Sequence, residues 1–214
     1  MKGLLYKDIV VLKKQISTLL VFVMVYGGFC VAGVFDFSII GALIAVFGLT
    51  IPMSSVALDD AAHWDRYAAA TPAGRKGIVA GKYLFTLLVI LISGLAGTVI
   101  MVGLSLAGLS DTPPVELVGI SLSCAAVTLL LDAVILPFLL KYGAEKVRIV
   151  SMITFVLIFG SIVLLGGLAN NGVNMPQLPG WLAAALPAVF ALVSVGGFAL
   201  SFAVSLGIYD RKEF

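Results

Sequence analysis

Apolar residues run on in this chain at 17–35, 39–58, 83–109, 115–140, 149–169 and 181–207. A helix needs about 20 mainly apolar residues to cross the hydrocarbon core of a bilayer. Leu, Val, Ile, Ala and Gly follow one another in these runs with no period of two, and each run exceeds the roughly 9–11 residues of a barrel strand. Inside lipid no water satisfies the backbone, so helices are the economical solution. The expected fold is an all-α integral membrane protein with six transmembrane helices. Composition agrees: 61% of the 214 residues are hydrophobic and 11% charged, against roughly 45–50% and 25% in soluble domains. The first run ends in no small-residue cleavage pattern, so it is expected to remain as a span.

The basic residues set the orientation. All 13 Lys and Arg residues lie before the first run, in 59–82, in 141–148 or in the tail. The opposite connections, around Asp36, Asp111 and Glu116 and at 170–180, hold none. Positive residues stay on the cytoplasmic side, so both termini are expected there. The net charge of +2 marks a membrane face and points to no nucleic-acid partner. Cys30 and Cys124 fall within runs and read as small apolar residues.

The chain reads as one membrane domain over 1–214, with no internal repeat and no soluble domain. Before the first run, Met1, Leu5, Ile9, Leu12 and Ile16 recur at helical spacing, with Lys7 and Lys14 opposite. That pattern predicts an amphipathic interfacial helix over 1–15, its stripe in the acyl region and its lysines towards headgroups. Asp8 interrupts the stripe. The longest polar connection, 59–82, gathers His63, Trp64 and Arg66. Asp59 or Asp60 can cap a short helix through Trp64 to Ala70. Thr71 precedes Pro72 and so ends it, and Pro72 suits the first turn of the next helix. Trp64, Tyr67 and Ala68 share a face of the short helix.

Little in the chain can do chemistry. Gly81-Lys82 is followed by Tyr83 and preceded by no matching glycine, so it is not a phosphate loop. His63 is the sole histidine and has only Asp59 and Asp60 beside it, too few ligands for a metal. No nucleophile elbow is present. Asp132 is the one ionisable residue well inside a run. A buried carboxyl there is costly in lipid and marks a candidate pathway or gating position, or else a structural group bonded to a neighbouring helix. Pro52, Pro137 and Pro187 are expected to bend their helices.

Two blocks, WDRYAAATPAGRKGIVAGKYL and LPFLLKYGAEKVRIV, resemble small type-2 ABC transporter permeases, a group that includes the permease of the phenol-soluble modulin exporter. The likeness rests on Asp60, Trp64, Pro72, Arg75, Ile78, Val79, Lys82 and Tyr83, on Lys141, Gly143, Lys146 and Arg148, and on the opening MKGLLYKD. The resemblance implies a six-span subunit with no ATPase of its own. Two copies, identical or paralogous, would assemble with two separate ATP-binding subunits, which would hold ATP and magnesium. The 59–82 connection would be the coupling loop, with Trp64 and Tyr67 as apolar docking anchors and Asp65, Arg66, Arg75 and Lys76 as polar ones beside Pro72. The resulting expectation is the permease of an ATP-driven exporter in a bacterial cell membrane, moving hydrophobic or amphipathic cargo such as membrane-active peptides. The alternative is a stand-alone membrane protein, either an ion-coupled carrier using Asp132 or an immunity or scaffold protein.

Overall fold

The computed structural model describes residues 2–36, 38–64, 67, 74–109, 112–170 and 180–210. Among them the elements are all helical: α1 (Lys2–Val31), α2 (Ser38–Ala61), α3 (Gly74–Leu106), α4 (Pro114–Tyr142), α5 (Ala144–Asn170) and α6 (Gly180–Asp210). Among the described residues four segments are long and apolar enough to cross a membrane: Ile39–Ala61, Gly74–Leu106, Pro114–Tyr142 and Ala188–Asp210. Leu20–Val31 is a shorter apolar segment.

Helical hydrogen bonding in α1 continues through the boundary expected near residue 16. Likewise α3 begins at Gly74, so 74–82 is helix where the sequence reading placed loop. No proline interrupts that stretch, and its one inward charge, on Lys82, is neutralised as described below. At 33 residues α3 is about 50 Å long, which exceeds a hydrocarbon core of about 30 Å. Pro52 and Pro137 sit inside α2 and α4 without ending them.

Successive helices run up and down. The starts of α1, α3 and α5 meet the ends of α2, α4 and α6 at one pole, which carries Lys7, Arg75, Lys82 and Lys141. At the opposite pole α1 and α3 end alike. Val34 N–H reaches Phe29 O and Gly33 N–H reaches Cys30 O, while Leu109 and Gly108 repeat the pattern on Leu104 and Ser105. Both are Schellman caps, and each needs glycine because the C′ residue is left-handed, with φ of 74° at Gly33 and 76° at Gly108.

The centre of the bundle is α4, which packs against α2, α3, α5 and α6. It approaches α2 closely where Gly41 faces Ile120 and Cys124, and where Gly48 faces Thr128. In lipid such small-residue seams matter, because helix association there depends on van der Waals contact and hydrogen bonds. Between α3 and α4, Ser121 donates to Gly94 O and pairs with Thr98. Among the described residues two apolar clusters result. One at the basic pole includes Val56, Val79, Tyr83, Leu136, Leu139, Val147 and Tyr209. The other, at the opposite pole, includes Cys30, Ile40, Ile44, Met101 and Leu117.

The turn from α4 into α5 depends on a distant residue. Gly143 lies at φ 80° and its N–H closes α4 on Leu139 O. Having no side chain, it cannot cap α5 itself. The Asp60 carboxylate, at the end of α2, accepts the Ala144 N–H at 2.9 Å instead. An anion at a helix N-terminus also suits the helix dipole. A Cβ on Gly143 would lie 2.9 Å from Asp60 Oδ2. Gly143→Ala should therefore destabilise the protein by about 1–3 kcal/mol, through left-handed strain and displacement of the cap. Thermal unfolding in detergent, with the exposed Gly103→Ala as control, checks this; equal melting temperatures would refute it.

Candidate functional site

Four charged side chains meet at the basic pole, where α1, α2 and α3 converge. Lys82 is on the second turn and a half of α3, facing α1 and α2. Its ammonium donates to Asp8 Oδ1 at 3.0 Å and to Ser55 Oγ at 2.6 Å, and pairs with Asp59 Oδ2 at 2.6 Å. An ammonium has three protons, and each has a partner. Ser55 in turn donates to Asp8 Oδ1 at 3.0 Å. Lys7 completes the set, bonding Asp59 Oδ1 and lying 3.3 Å from Asp8 Oδ1.

Two cations and two anions make the cluster neutral. Asp8, Ser55, Asp59 and Lys82 are all buried, and Lys7 closes the cluster towards solvent. Unpaired, any one of these charges would cost several kcal/mol to keep out of water. Asp8, which interrupted the apolar stripe, points inward, and Ile9 beside it is exposed. Lys7 is likewise directed at Asp59 and not at headgroups. By sequence Lys82 falls in the 59–82 connection, at the margin of an apolar run; the structure places it inside α3.

The cluster reaches the polar connection through Trp64. The Lys7 ammonium lies 4.8 Å from the centre of the Trp64 ring, a cation–π contact. Trp64 is half-buried against the basic-pole core, with Ile78 and Gly81 also beside the cluster. Its indole N–H is buried and has no hydrogen-bond partner among the described residues. Tyr67, by contrast, is 68% exposed. So of the two aromatic residues expected to share one face, Trp64 is anchored inward and Tyr67 projects. Arg75 donates to the Asp210 carbonyl, tying the start of α3 to the end of α6, and Lys76 is exposed. Asp65, Arg66 and Pro72 lie outside the described residues.

His63, read as part of a helix start, belongs to a helix end. It takes φ 50°, and its N–H returns to Asp60 O. Histidine is among the residues that tolerate the left-handed region. No group of side chains suited to a metal occurs among the described residues.

Asp132 is buried in α4, and its Oδ2 has no hydrogen-bond partner among the described residues. Nearby, the Tyr83 hydroxyl bridges Ser201 and Ser205 of α6 at 2.6 and 2.7 Å, its ring set between Phe198 and Phe202. Asp132 is close enough to interact electrostatically with that hydroxyl.

Against known families, residues 3–210 match the model described as ABC-2 family transporter protein. The chain belongs to that family. Comparison with curated proteins and with solved structures gives no match. Membership makes this ABC-2 protein a membrane permease component of an ABC transporter, a class that works with an ATP-binding subunit. The charge cluster then sits at the root of the polar connection between the second and third helices.

Removing Lys82 should leave two carboxylates facing one remaining cation. Lys82→Met is expected to cost about 3–5 kcal/mol, as for other broken buried pairs. The double change Lys82→Met/Asp8→Leu restores neutrality and should recover most of that loss. Denaturant unfolding in micelles reads both; additive effects of the two substitutions would show that no coupled network exists.

Proposed function

We propose that this ABC-2 protein is the permease of an ATP-driven exporter, in which the polar connection between α2 and α3 docks on a separate ATP-binding subunit. In this reading six helices span the membrane, both termini are cytoplasmic, and two permease copies pair with two ATP-binding subunits. Those subunits hold the ATP and magnesium. The observation that carries the docking assignment is the mounting of the loop. It springs from a neutral ion cluster that grips α1, α2 and α3 together, and it presents Tyr67 outward while Trp64 is held beneath Lys7.

Mechanically this matters. A push on a loose loop is absorbed by the loop. A push on a loop fastened through Lys7, Asp59 and Lys82 moves three helices as one body, and the Arg75–Asp210 contact carries it on to α6. ATP-driven closure of the partner subunits would then shift the bundle between inward-facing and outward-facing states. The walls are mostly apolar, with scattered Ser and Thr hydroxyls. That suits hydrophobic or amphipathic cargo, such as a membrane-active peptide, better than a sugar or an ion.

The test is co-purification with the ATP-binding subunit, followed by ATPase activity. Tyr67→Ala should weaken binding about 30-fold or more if Tyr67 is an interface hot spot, for which losses of about 2 kcal/mol or more are typical. Its melting temperature should stay unchanged, because the side chain is exposed. Wild-type affinity and stimulation in the variant would remove the docking role.

Asp132 separates an ATP-driven pump from an ion-coupled carrier. Asp132→Asn keeps the shape but removes the charge, so ATP-driven transport in proteoliposomes should largely persist with an unchanged pH profile. Loss of pH-dependent uptake without ATP would instead identify a proton-coupled carrier.

A further inference from the structure

An open groove of about 490 Å³ runs between α4 and α6 on the outer surface of the bundle. Its floor on α4 rises from Leu130 through Pro137 to Lys141, and on α6 from Val193 through Gly197 to Ile208. The two helices are parallel, so both rows run towards the basic pole. At 1.5 Å per residue the groove is about 18 Å long on α4, from Leu130 to Tyr142, and about 22 Å on α6, from Val193 to Ile208. That covers the depth of one leaflet, half of a core of about 30 Å, and falls short of the whole core.

Its chemistry is graded along that length. The walls are apolar, and the hydroxyl of Ser201, the polar side chain in the middle, is already bonded to Tyr83. Among the described lining residues Lys141 alone is charged. It is exposed at the basic pole, its ammonium 4.9 Å from the centre of the Tyr142 ring. Gly197 opens the groove: a Cβ added there would meet nothing within 4 Å.

We propose that this groove holds one acyl chain of an anionic phospholipid from the leaflet at the basic pole, with the headgroup on Lys141. Length, apolar walls and a cation at the headgroup end together select this occupant. A neutral lipid would leave Lys141 unused, and a transmembrane helix of a partner would cross the whole core and extend beyond the groove. The site is separate from the polar connection and from Asp132, and it does not depend on the docking assignment.

Purified full-length chain in mild detergent, titrated with phosphatidylglycerol or phosphatidylcholine of matched acyl chains, tests this by native mass spectrometry. Phosphatidylglycerol should be retained about fivefold better, as expected for one basic residue near an anionic surface. Lys141→Ala should bring the two lipids to parity, and Gly197→Leu, whose Cβ has open space in the groove, should reduce retention of both. Glycerol phosphate, which carries the anion without the chains, should not compete. Four results would overturn the site: no headgroup preference in the wild type, retention unaffected by either substitution, equal competition by glycerol phosphate, or a Gly197→Leu change in oligomeric state with lipid retention intact. The last would make the groove an interface between copies.

Discussion

The Lys82 ammonium has three protons and three acceptors, one from each of Asp8, Ser55 and Asp59, and much of the arrangement at the basic pole depends on that match. A charge in a membrane protein away from bulk water must be paired or displaced towards the interface. Here pairing requires α1, α2 and α3 to come together in one register, since each supplies a member that no other helix can replace. Sliding α1 by one residue would turn Asp8 away and leave Lys82 with one carboxylate. The cluster is therefore better understood as a device that selects one packing than as a source of net stability, because burying ion pairs often costs as much as their attraction returns.

Below this cluster, specificity passes to shape. Helix association in lipid cannot draw on the hydrophobic effect as soluble folding does, so contact distance becomes decisive. Gly41, Gly48 and Gly97 let α2 approach α4 and α3 to distances that a Cβ would obstruct. Hydroxyls add to the seams: Thr98 with Ser121 between α3 and α4, and Tyr83 with Ser201 and Ser205 between α3 and α6. Charge selects the register at one pole, and small residues and hydroxyls preserve it along the helices.

The apolar runs were legible because span length and the lack of a two-residue period leave few alternatives. The helical class and the membrane setting follow from them, and so does the concentration of basic residues at one pole. Helix ends were less legible. Lys82 was assigned to a loop because a lysine beside an apolar run normally marks the water boundary, and only its distant partners allow it inside. Asp8 and Asp59 each registered locally, one as a flaw in an apolar stripe and the other as a candidate cap. A carboxylate that spoils an apolar face is a pointer to a buried cation, but the cation here is 74 residues away. The same distance problem hides the Asp60 cap on α5, because Gly143 shows only that some other residue must supply it. His63 was misplaced for a different reason. A polar residue after two aspartates resembles a helix start, and only its left-handed backbone reveals a stop.

Adjacent residues on α3 show how a local push could become a global change. Lys82 faces α1 and α2, and Tyr83, about 100° further round the helix, faces α6. One is held by charge, the other by two hydroxyls and two aromatic rings. With both sides engaged, α3 cannot rotate without disturbing either the ion cluster or the Tyr83 contacts. It can translate or tilt together with its neighbours, which favours rigid-body motion of the group over twisting of one helix. The polar connection lies between α2 and α3, at the point where these constraints are densest. A force applied there meets the ion cluster first. Near Tyr83 the buried Asp132 carboxyl leaves one oxygen without a hydrogen-bond partner among the described residues. The α3–α4–α6 junction is thus less completely satisfied than the α1–α2–α3 junction. If the bundle has a place where packing changes between two states, the energetics favour the junction with the weaker hold, while the ion cluster stays intact and carries the load.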